Sequence, residues 1–264
     1  MENNINLKNK NVLITGGSRG IGAGIAHAMA ACGANLLINC SHNVQIAEAL
    51  ASEIKGKYNV KVFIYAADVS NQDQVAQMFL FADKALGEIN VLVNNAGCET
   101  VEYAIDLKLD DWDRIFNVNL RGAFICAQEA AKRMIAINSG VIINISSIHD
   151  KVPRKGLIHY CSAKAGLNMM TKCLALELAV NNIRVIAVSP GAIETEMNKA
   201  EINAFGREKF NGWIPLGRVG NVEDVAWTCA FLASDKASYY TATEIYIDGG
   251  YKEIAIPYDP RKKK

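Results

Sequence analysis

Seven short apolar runs, rich in β-branched residues, recur along the chain, and helix-like stretches separate them. Because these runs are continuously apolar and do not alternate with polar residues, they predict strands that are covered on both faces. Such strands are typical of a parallel sheet between two layers of helices. The sequence therefore predicts an α/β domain with a central parallel sheet. The runs are residues 12–14, 36–38, 62–65, 91–93, 141–145, 185–188 and 245–247.

Polar or turn-forming residues follow directly on five of the predicted strands. They are Gly16, Asp68, Asn95, Ser147 and Pro190. Parallel strands end at one edge of their sheet, and α/β sheets bind ligands at that edge. The sequence therefore predicts that these residues share a binding site.

A glycine-rich turn connects the first predicted strand with a helical stretch at residues 25–30. Its glycines, Gly16, Gly20 and Gly22, have the spacing G-x-x-x-G-x-G. Glycines allow the backbone to approach a pyrophosphate closely, and a helix N-terminus offers unpaired N–H groups to it. Strand, turn and helix together predict a dinucleotide site in a doubly wound Rossmann-type domain with helices on both faces.

Tyr160 and Lys164 are four residues apart in a helical segment, so their side chains project from the same face. An ammonium beside a phenol favours the phenolate and lowers the tyrosine pKa. The pair predicts that Tyr160 donates and accepts a proton near neutral pH.

Composition excludes several classes of function. The chain of 264 residues carries 28 basic and 27 acidic residues, which indicates no nucleic-acid surface. No stretch reaches the roughly 18 apolar residues of a membrane span, so no membrane association is expected. The seven cysteines and four histidines are scattered, which predicts a reducing, cytoplasmic location and no metal site. The basic cluster at residues 261–264 is expected to be a solvated tail.

The segment at residues 192–215 departs from the regular alternation of strands and helices. A long connection in a compact domain is usually functional. We expect it to be a substrate lid, since it begins at a strand end.

At this point the chain resembles the short-chain dehydrogenase/reductase family over nearly its full length. The resemblance implies one domain over residues 1–264, with a cofactor-binding half at about 8–150. The catalytic and substrate half is then at about 141–250. The matching motifs are residues 15–22, Asp68-Val69, residues 94–97 and 117–119, Ser147, Tyr160 with Lys164, and Pro190-Gly191.

The resemblance implies a catalytic set of four residues. Tyr160 would exchange a proton with the substrate oxygen, and Ser147 would hydrogen-bond that oxygen. Lys164 would bind the nicotinamide ribose and lower the pKa of Tyr160. Asn119 would hold a water that links Lys164 to solvent.

The resemblance also implies a nicotinamide cofactor. Cys40 stands where NAD-selective members carry Asp, and Arg19 lies where a basic residue often meets a 2′-phosphate. NADP is therefore the preferred cofactor, and NAD is also considered. The expected cofactor-binding residues are Gly16, Ser18, Arg19, Gly20, Ile21, Ser41, His42, Asp68, Val69, Asn95, Tyr160, Lys164, Ile193 and Thr195.

Within the family the chain is most similar to bacterial glucose 1-dehydrogenases, notably at residues 94–99, 146–149 and 190–195. This similarity implies a small-molecule secondary alcohol or ketone, such as a sugar, as substrate. Glu99 and His149 would bind it together with Ser147 and Tyr160. A 3-oxoacyl thioester reductase, a hydroxysteroid dehydrogenase and a non-catalytic nucleotide-binding regulator are the alternatives.

Residues 165–179 are apolar around much of a helix, more than one sheet-facing stripe requires. Family members commonly pair this helix across a two-fold axis. A homotetramer is therefore expected.

Overall fold

The computed structural model describes residues 5–254, without the side chains of residues 197, 200 and 201. The basic cluster at residues 261–264 lies outside the described residues. Every apolar run named above forms a strand, which confirms the predicted strands. The strands are β1 (Asn11–Ile14), β2 (Asn35–Cys40), β3 (Val62–Ala66), β4 (Val91–Asn94), β5 (Gly140–Ile145), β6 (Ile183–Pro190) and β7 (Glu244–Ile247).

The seven strands form one parallel sheet in the order β3-β2-β1-β4-β5-β6-β7. The order reverses direction between β1 and β4, which is where doubly wound sheets open a crevice for ligands. In the register of the sheet, Leu13 lies beside Leu37 and Leu92. The predicted α/β, doubly wound Rossmann-type fold is confirmed.

Helices connect the strands and cover both faces of the sheet. They are α1 (Gly20–Ala31), α2 (Val44–Lys57), α3 (Gln72–Ala85), α4 (Leu109–Phe116), α5 (Ala123–Ala136), α6 (Ile158–Leu178), α7 (Glu196–Phe205), α8 (Arg207–Gly212) and α9 (Val222–Ala233). Val12 and Ile14 of β1 pack into a core with α1, α2 and α9. Leu13 packs on the opposite face, against α3, α5 and α6. Alternate β1 side chains therefore serve two cores, as a strand covered on both faces requires.

Two local features differ from the sequence-based expectations. Helix α1 begins at Gly20, so the end of the glycine turn is already helical. The segment at 192–215 contains two short helices, α7 and α8. Ile202, Phe210 and Ile214 form a small apolar cluster there, separate from the two main cores. Movement of this segment as a lid stays a prediction.

Candidate active site

The glycine turn has backbone conformations and close approaches that only glycine satisfies. Gly16 and Gly20 have φ angles of +58° and +53°. A Cβ atom on Gly22 would lie 2.5 Å from the Gly16 carbonyl oxygen and 2.6 Å from Asn95 Nδ2. The turn therefore depends on these glycines sterically.

Three polar side chains, from β2 and from the residues that follow β1 and β4, hold this turn in place. Asn39 Oδ1 accepts a hydrogen bond from the Gly16 amide at 3.2 Å. Asn95 Nδ2 donates to the carbonyl oxygens of Thr15 at 3.0 Å and Gly16 at 2.9 Å. Thr15 Oγ1 accepts from the amides of Asn95 and Ala96 at 3.0 and 3.1 Å. The side-chain nitrogen of Asn95, a residue expected to bind the cofactor, thus donates to the backbone of the turn.

Sequence reasoning missed the roles of Asn39 and Thr15. Asn39 is 1% exposed in a strand whose other core-facing residues are apolar. A buried amide must find hydrogen-bond partners. That isolated polar residue was the signal that could have identified it.

Helix α1 starts at the cavity with Arg19 as its N-cap, and no side chain caps its first turn. The first N–H groups of a helix lack partners within the helix, and the helix dipole is positive there. Together with the glycines, this end suits a pyrophosphate. The chain thus fits the dinucleotide that the glycine turn predicts.

The region expected to hold the adenosine carries no carboxylate at the end of β2. Cys40 is 2% exposed, whereas Ser41 and His42 are exposed, with Ser41 Oγ 3.0 Å from His42 Nδ1. The Arg19 side chain is 66% exposed, and its guanidinium lies 3.9 Å from a Glu196 oxygen. A phosphate could therefore approach Arg19 from solvent.

Asp68 follows β3 and is exposed, beside the buried Val69. Its Oδ1 accepts hydrogen bonds from the amide and the hydroxyl of Ser70, at 2.9 and 2.8 Å. These bonds fix the carboxylate at the cavity wall.

At the other end of the cavity, α6 carries Tyr160 and Lys164 one turn apart. The Lys164 ammonium lies 5.6 Å from the centre of the Tyr160 ring and donates to the Ile145 carbonyl at 2.8 Å. The Ser147 hydroxyl hydrogen-bonds with Tyr160 and accepts from the His149 amide at 3.2 Å. Tyr160, Ser147 and Lys164 therefore meet at one point.

The pKa of Tyr160 differs from the prediction. Burial, followed by the negative charge of Glu99, raises the pKa of Tyr160 above its usual range, and the Ser147 hydrogen bond opposes this only in part. Burial lowers the pKa of Lys164 to about 8. The predicted lowering of the Tyr160 pKa is wrong for this arrangement, because desolvation dominates.

Asn119 lies in a π-helical turn, residues Asn117–Gly122, between α4 and α5. Its Nδ2 donates to the carbonyl oxygens of Cys98 at 2.8 Å and Ile115 at 3.0 Å, whereas its buried Oδ1 has no protein partner. A Cβ atom on Gly97 would lie 2.8 Å from that oxygen and 3.7 Å from Lys164 Nζ. Asn119 Oδ1 and the ammonium thus flank Gly97, and a bridging water would satisfy the oxygen.

His149 and Glu99 adjoin Tyr160 on the substrate side. His149 Nδ1 donates to the Val152 carbonyl at 2.8 Å, which fixes the proton on that nitrogen because a carbonyl only accepts. The His149 and Tyr160 rings meet edge to face, with centroids 6.5 Å apart. The negative charge of Glu99 raises the pKa of Tyr160.

One cavity of about 1450 Å³ contains every site residue predicted from the sequence, including Ile21, Ile193 and Thr195. A pocket for one drug-sized ligand is about 300–1,000 Å³, so this cavity can hold a dinucleotide and a second molecule. The individual roles of these residues stay predictions. Sequence reasoning missed Asp110, Asp113 and Arg114 of α4, which also line the wall. The aromatic Phe205, Phe210 and Trp213 of the segment predicted as a substrate lid line it as well.

Within residues 5–254 there is no group of three or more His, Cys, Asp or Glu side chains that could hold a metal ion. Over the same residues, the helices are too short or too polar to cross a membrane.

Comparisons with known proteins agree with this fold. A family model described as "Enoyl-(Acyl carrier protein) reductase" matches residues 16–252. The chain is 41% identical over 241 residues to the 3-oxoacyl-[acyl-carrier-protein] reductase FabG of Staphylococcus aureus, which covers 91% of this chain and 97% of that one. It is 42% identical over 250 residues to a short-chain type dehydrogenase/reductase of Picea abies, with 90% of each covered.

A solved structure with the same fold is a gluconate 5-dehydrogenase from Burkholderia cenocepacia in complex with NADP and tartrate. Its TM-score is 0.90 at 32% identity, and the match covers 95% of this chain and 98% of that chain. Sequence and structure agree over almost the whole length of both proteins. The chain therefore belongs to the short-chain dehydrogenase/reductase family of oxidoreductases.

Proposed function

We propose that this oxidoreductase interconverts a secondary alcohol and a ketone with NADP(H), using Tyr160 as the acid–base group. The observation that carries this proposal is the hydrogen-bonded Tyr160–Ser147 pair beside the buried Lys164. It lies in the same cavity as the N-terminus of α1. The residues for proton transfer and those for dinucleotide binding thus lie in one site.

Each catalytic residue has a distinct task in this reaction. When bound, the nicotinamide ring supplies or accepts the hydride. Ser147 donates to the substrate oxygen and holds it beside the Tyr160 hydroxyl. Tyr160 gives its proton to that oxygen in ketone reduction and takes it back in alcohol oxidation, and this requires both groups within hydrogen-bond reach.

Lys164 and Asn119 support this proton transfer. The buried ammonium stabilises negative charge that develops on the Tyr160 oxygen. Asn119 Oδ1 provides the acceptor for a water on the Lys164 side of Gly97, through which a proton can reach solvent. The ammonium thereby counters the desolvation of the phenolate.

NADP is the preferred cofactor in this proposal. No acid follows β2, and Arg19, Ser41 and His42 line the same cavity. A carboxylate there would repel a 2′-phosphate, whereas a guanidinium binds it. The Burkholderia relative was solved in complex with NADP, which supports NADP as the cofactor proposed here.

For the substrate we favour a hydroxylated, sugar-like alcohol or ketone. Glu99 and His149 place polar groups beside Tyr160, and substrate hydroxyls need such partners once they leave water. Glucose is one member of this class. The name of one relative, a gluconate 5-dehydrogenase, indicates that it acts on a related compound.

A 3-oxoacyl thioester is the second candidate. Phe205, Phe210 and Trp213 form an aromatic wall that suits an apolar chain, with the rings of Phe205 and Trp213 centred 5.5 Å apart. The exposed Lys151 and Lys155 near the cavity would complement an acidic carrier protein. The name of the Staphylococcus relative, 3-oxoacyl-[acyl-carrier-protein] reductase, supports this second candidate.

A panel of substrates with each cofactor separates the two candidates. It contains glucose, gluconate, 5-ketogluconate and acetoacetyl coenzyme A, and the readout is nicotinamide absorbance. We expect turnover with NADP(H) and a hydroxylated substrate. Turnover of acetoacetyl coenzyme A alone would establish the thioester candidate, and turnover of none of them would contradict both.

We also expect a homotetramer. Met169 and Leu176 of α6 are 59% and 75% exposed, on the face opposite the buried Leu167 and Leu178. An exposed apolar helix face of this kind is typical of subunit contacts. Light scattering should give four times the chain mass of 28.7 kDa. A mass equal to one chain at micromolar concentration would contradict the expectation.

A further inference from the structure

A cluster of two carboxyl groups, of the buried Asp150 side chain and the half-buried Glu244, lies directly behind the turn that carries Ser147 and His149. Asp150 ends this turn, the 3-10 helix Ile148–Asp150, and its side chain is 0% exposed. It meets Glu244 and Tyr246 of β7 and Asn168 of α6. None of these four residues has a role in the proposed reaction.

The hydrogen bonds in the cluster bring the two carboxyl groups close enough to share a proton. Asn168 Nδ2 donates to Asp150 Oδ2 at 2.7 Å and also to Glu244, so its two hydrogens are used and both carboxyl groups lie against one nitrogen. Ser189 Oγ donates to Glu244 Oε1 at 2.5 Å. Two ionised carboxylates have no hydrogen to share, so a hydrogen bond between the pair requires that one of them is protonated.

The charged and titratable surroundings determine which acid holds the proton. Lys151 Nζ lies 4.0 Å from Asp150 Oδ2 on a mostly exposed side chain, and the Lys252 ammonium lies 4.4 Å from the centre of the Tyr246 ring. The groups facing the pair from α6 and β6, Asn168 and Ser189, are neutral.

Burial and the neighbouring Glu244 raise the pKa of Asp150 to about 6, whereas the pKa of Glu244 is lowered by its several donors. Asp150 is therefore the protonated partner. Because its pKa is raised, the protonated form is present below about pH 6 and is lost as the pH rises through that value.

Backbone bonds connect this pair to the catalytic turn. The Asp150 amide donates to the Ser147 carbonyl at 3.1 Å, and the His149 amide donates to Ser147 Oγ. A movement of Asp150 therefore moves the hydroxyl that binds the substrate oxygen. The Tyr246 hydroxyl, 3.2 Å from Asp150 Oδ1, attaches the same side chain to the sheet.

We propose that Asp150 and Glu244 are positioning residues, whose shared proton anchors the turn bearing Ser147 and His149 to β7. When the pair loses this proton, two neighbouring carboxylates, one of them buried, repel each other, and the anchor weakens. The substrate-binding side of the active site thus responds to pH independently of Tyr160. The catalytic part of this inference rests on the proposed function, whereas the anchoring does not.

Hydrogen–deuterium exchange tests the anchor without any substrate. Asp150→Asn keeps a donor toward Glu244 at every pH and imitates the protonated acid. We expect the peptide spanning residues 146–152 to lose protection in the wild type between about pH 5 and about pH 8, after correction for intrinsic exchange. The Asp150→Asn protein should keep it. Equal loss of protection in both proteins would overturn the anchor.

Kinetics test the positioning role. With the substrate turned over in the panel, kcat/KM of the wild type should fall by about tenfold relative to Asp150→Asn over the same pH range, as expected for a misplaced reacting group. Glu88→Gln, an exposed acid at the opposite edge of the sheet, is the control and should follow the wild type. Parallel kcat/KM profiles in wild type and Asp150→Asn would overturn the positioning role. If no substrate is turned over, the proposed function fails and the exchange result still decides the anchor.

Discussion

At the cofactor end of the cavity, backbone geometry makes the site, whereas side chains make it at the substrate end. The glycine turn depends on its glycines and on amide side chains of β2 and of the residue after β4. The substrate end depends on Tyr160, Ser147 and Lys164, and burial shifts the pKa values of Tyr160 and Lys164. A change at a glycine should affect cofactor binding, whereas a change at a catalytic side chain should affect the reaction. Substitutions at the two ends should therefore damage different steps.

Removing one phenolic oxygen should have the largest effect. We expect Tyr160→Phe to lower kcat by about 10²–10⁴-fold, because the acid–base group is lost. The Kd for NADPH, measured by fluorescence titration, should stay within about twofold, since the phenyl ring still packs. Tyr103→Phe, at a residue 62% exposed, is the control. Retention of more than about a tenth of the activity would contradict the role of Tyr160.

A methyl group in the glycine turn should damage binding instead. Gly22→Ala would place a Cβ 2.5 Å from the Gly16 carbonyl oxygen, and overpacking of this kind costs about 1–3 kcal/mol. We expect the NADPH Kd to rise by at least about tenfold, as measured by the same titration. Gly56→Ala, on an exposed part of α2 with nothing within 4 Å of the added Cβ, should leave the Kd unchanged. Equal Kd values in the two variants would mean that the turn does not hold the cofactor.

A smaller, selective effect is expected from Arg19, whose side chain is proposed to bind the 2′-phosphate. Arg19→Ala should weaken NADPH binding by about tenfold and leave NADH binding unchanged, because only NADPH has a 2′-phosphate. Lys61→Ala, which removes one positive charge at an exposed residue, controls for long-range electrostatics. An equal loss for both cofactors would place the 2′-phosphate elsewhere.

The smallest effect should be a shift in pH dependence at the substrate end. The Glu99 charge raises the pKa of Tyr160, so Glu99→Gln should lower it. Alcohol oxidation needs the phenolate, and the rise of kcat with pH should therefore move toward lower pH. The exposed Glu102→Gln serves as the control. An unchanged or upward-shifted profile would show that Glu99 does not act on Tyr160.

The difference between the two ends also explains what the sequence could predict. Apolar runs with polar residues at their ends identified the strands, and local spacing identified the glycine turn and the Tyr160–Lys164 pair. These signals depend on neighbours in the chain. The contacts of Asn39, Thr15 and Glu244 join distant segments, so local patterns do not show the partners of these residues, although the isolated polar Asn39 signals that it has one.

The pKa of Tyr160 was predicted in the wrong direction for the same reason. Spacing on a helix shows that an ammonium is near the phenol, but burial depends on what packs over both groups. The structure shows that desolvation dominates there. Local sequence thus predicts which groups meet, and tertiary packing sets their protonation.

Transfer of deuterium from NADPH tests whether the enzyme moves a hydride to a ketone with Tyr160 as the proton donor. Wild-type enzyme would be supplied with NADPH carrying deuterium at both C4 positions and with 5-ketogluconate or acetoacetyl coenzyme A, and the product analysed by mass spectrometry. The account predicts one deuterium on the new alcohol carbon, and loss of this product with Tyr160→Phe although the cofactor still binds. An alcohol product without deuterium, or undiminished labelling with Tyr160→Phe, would contradict it.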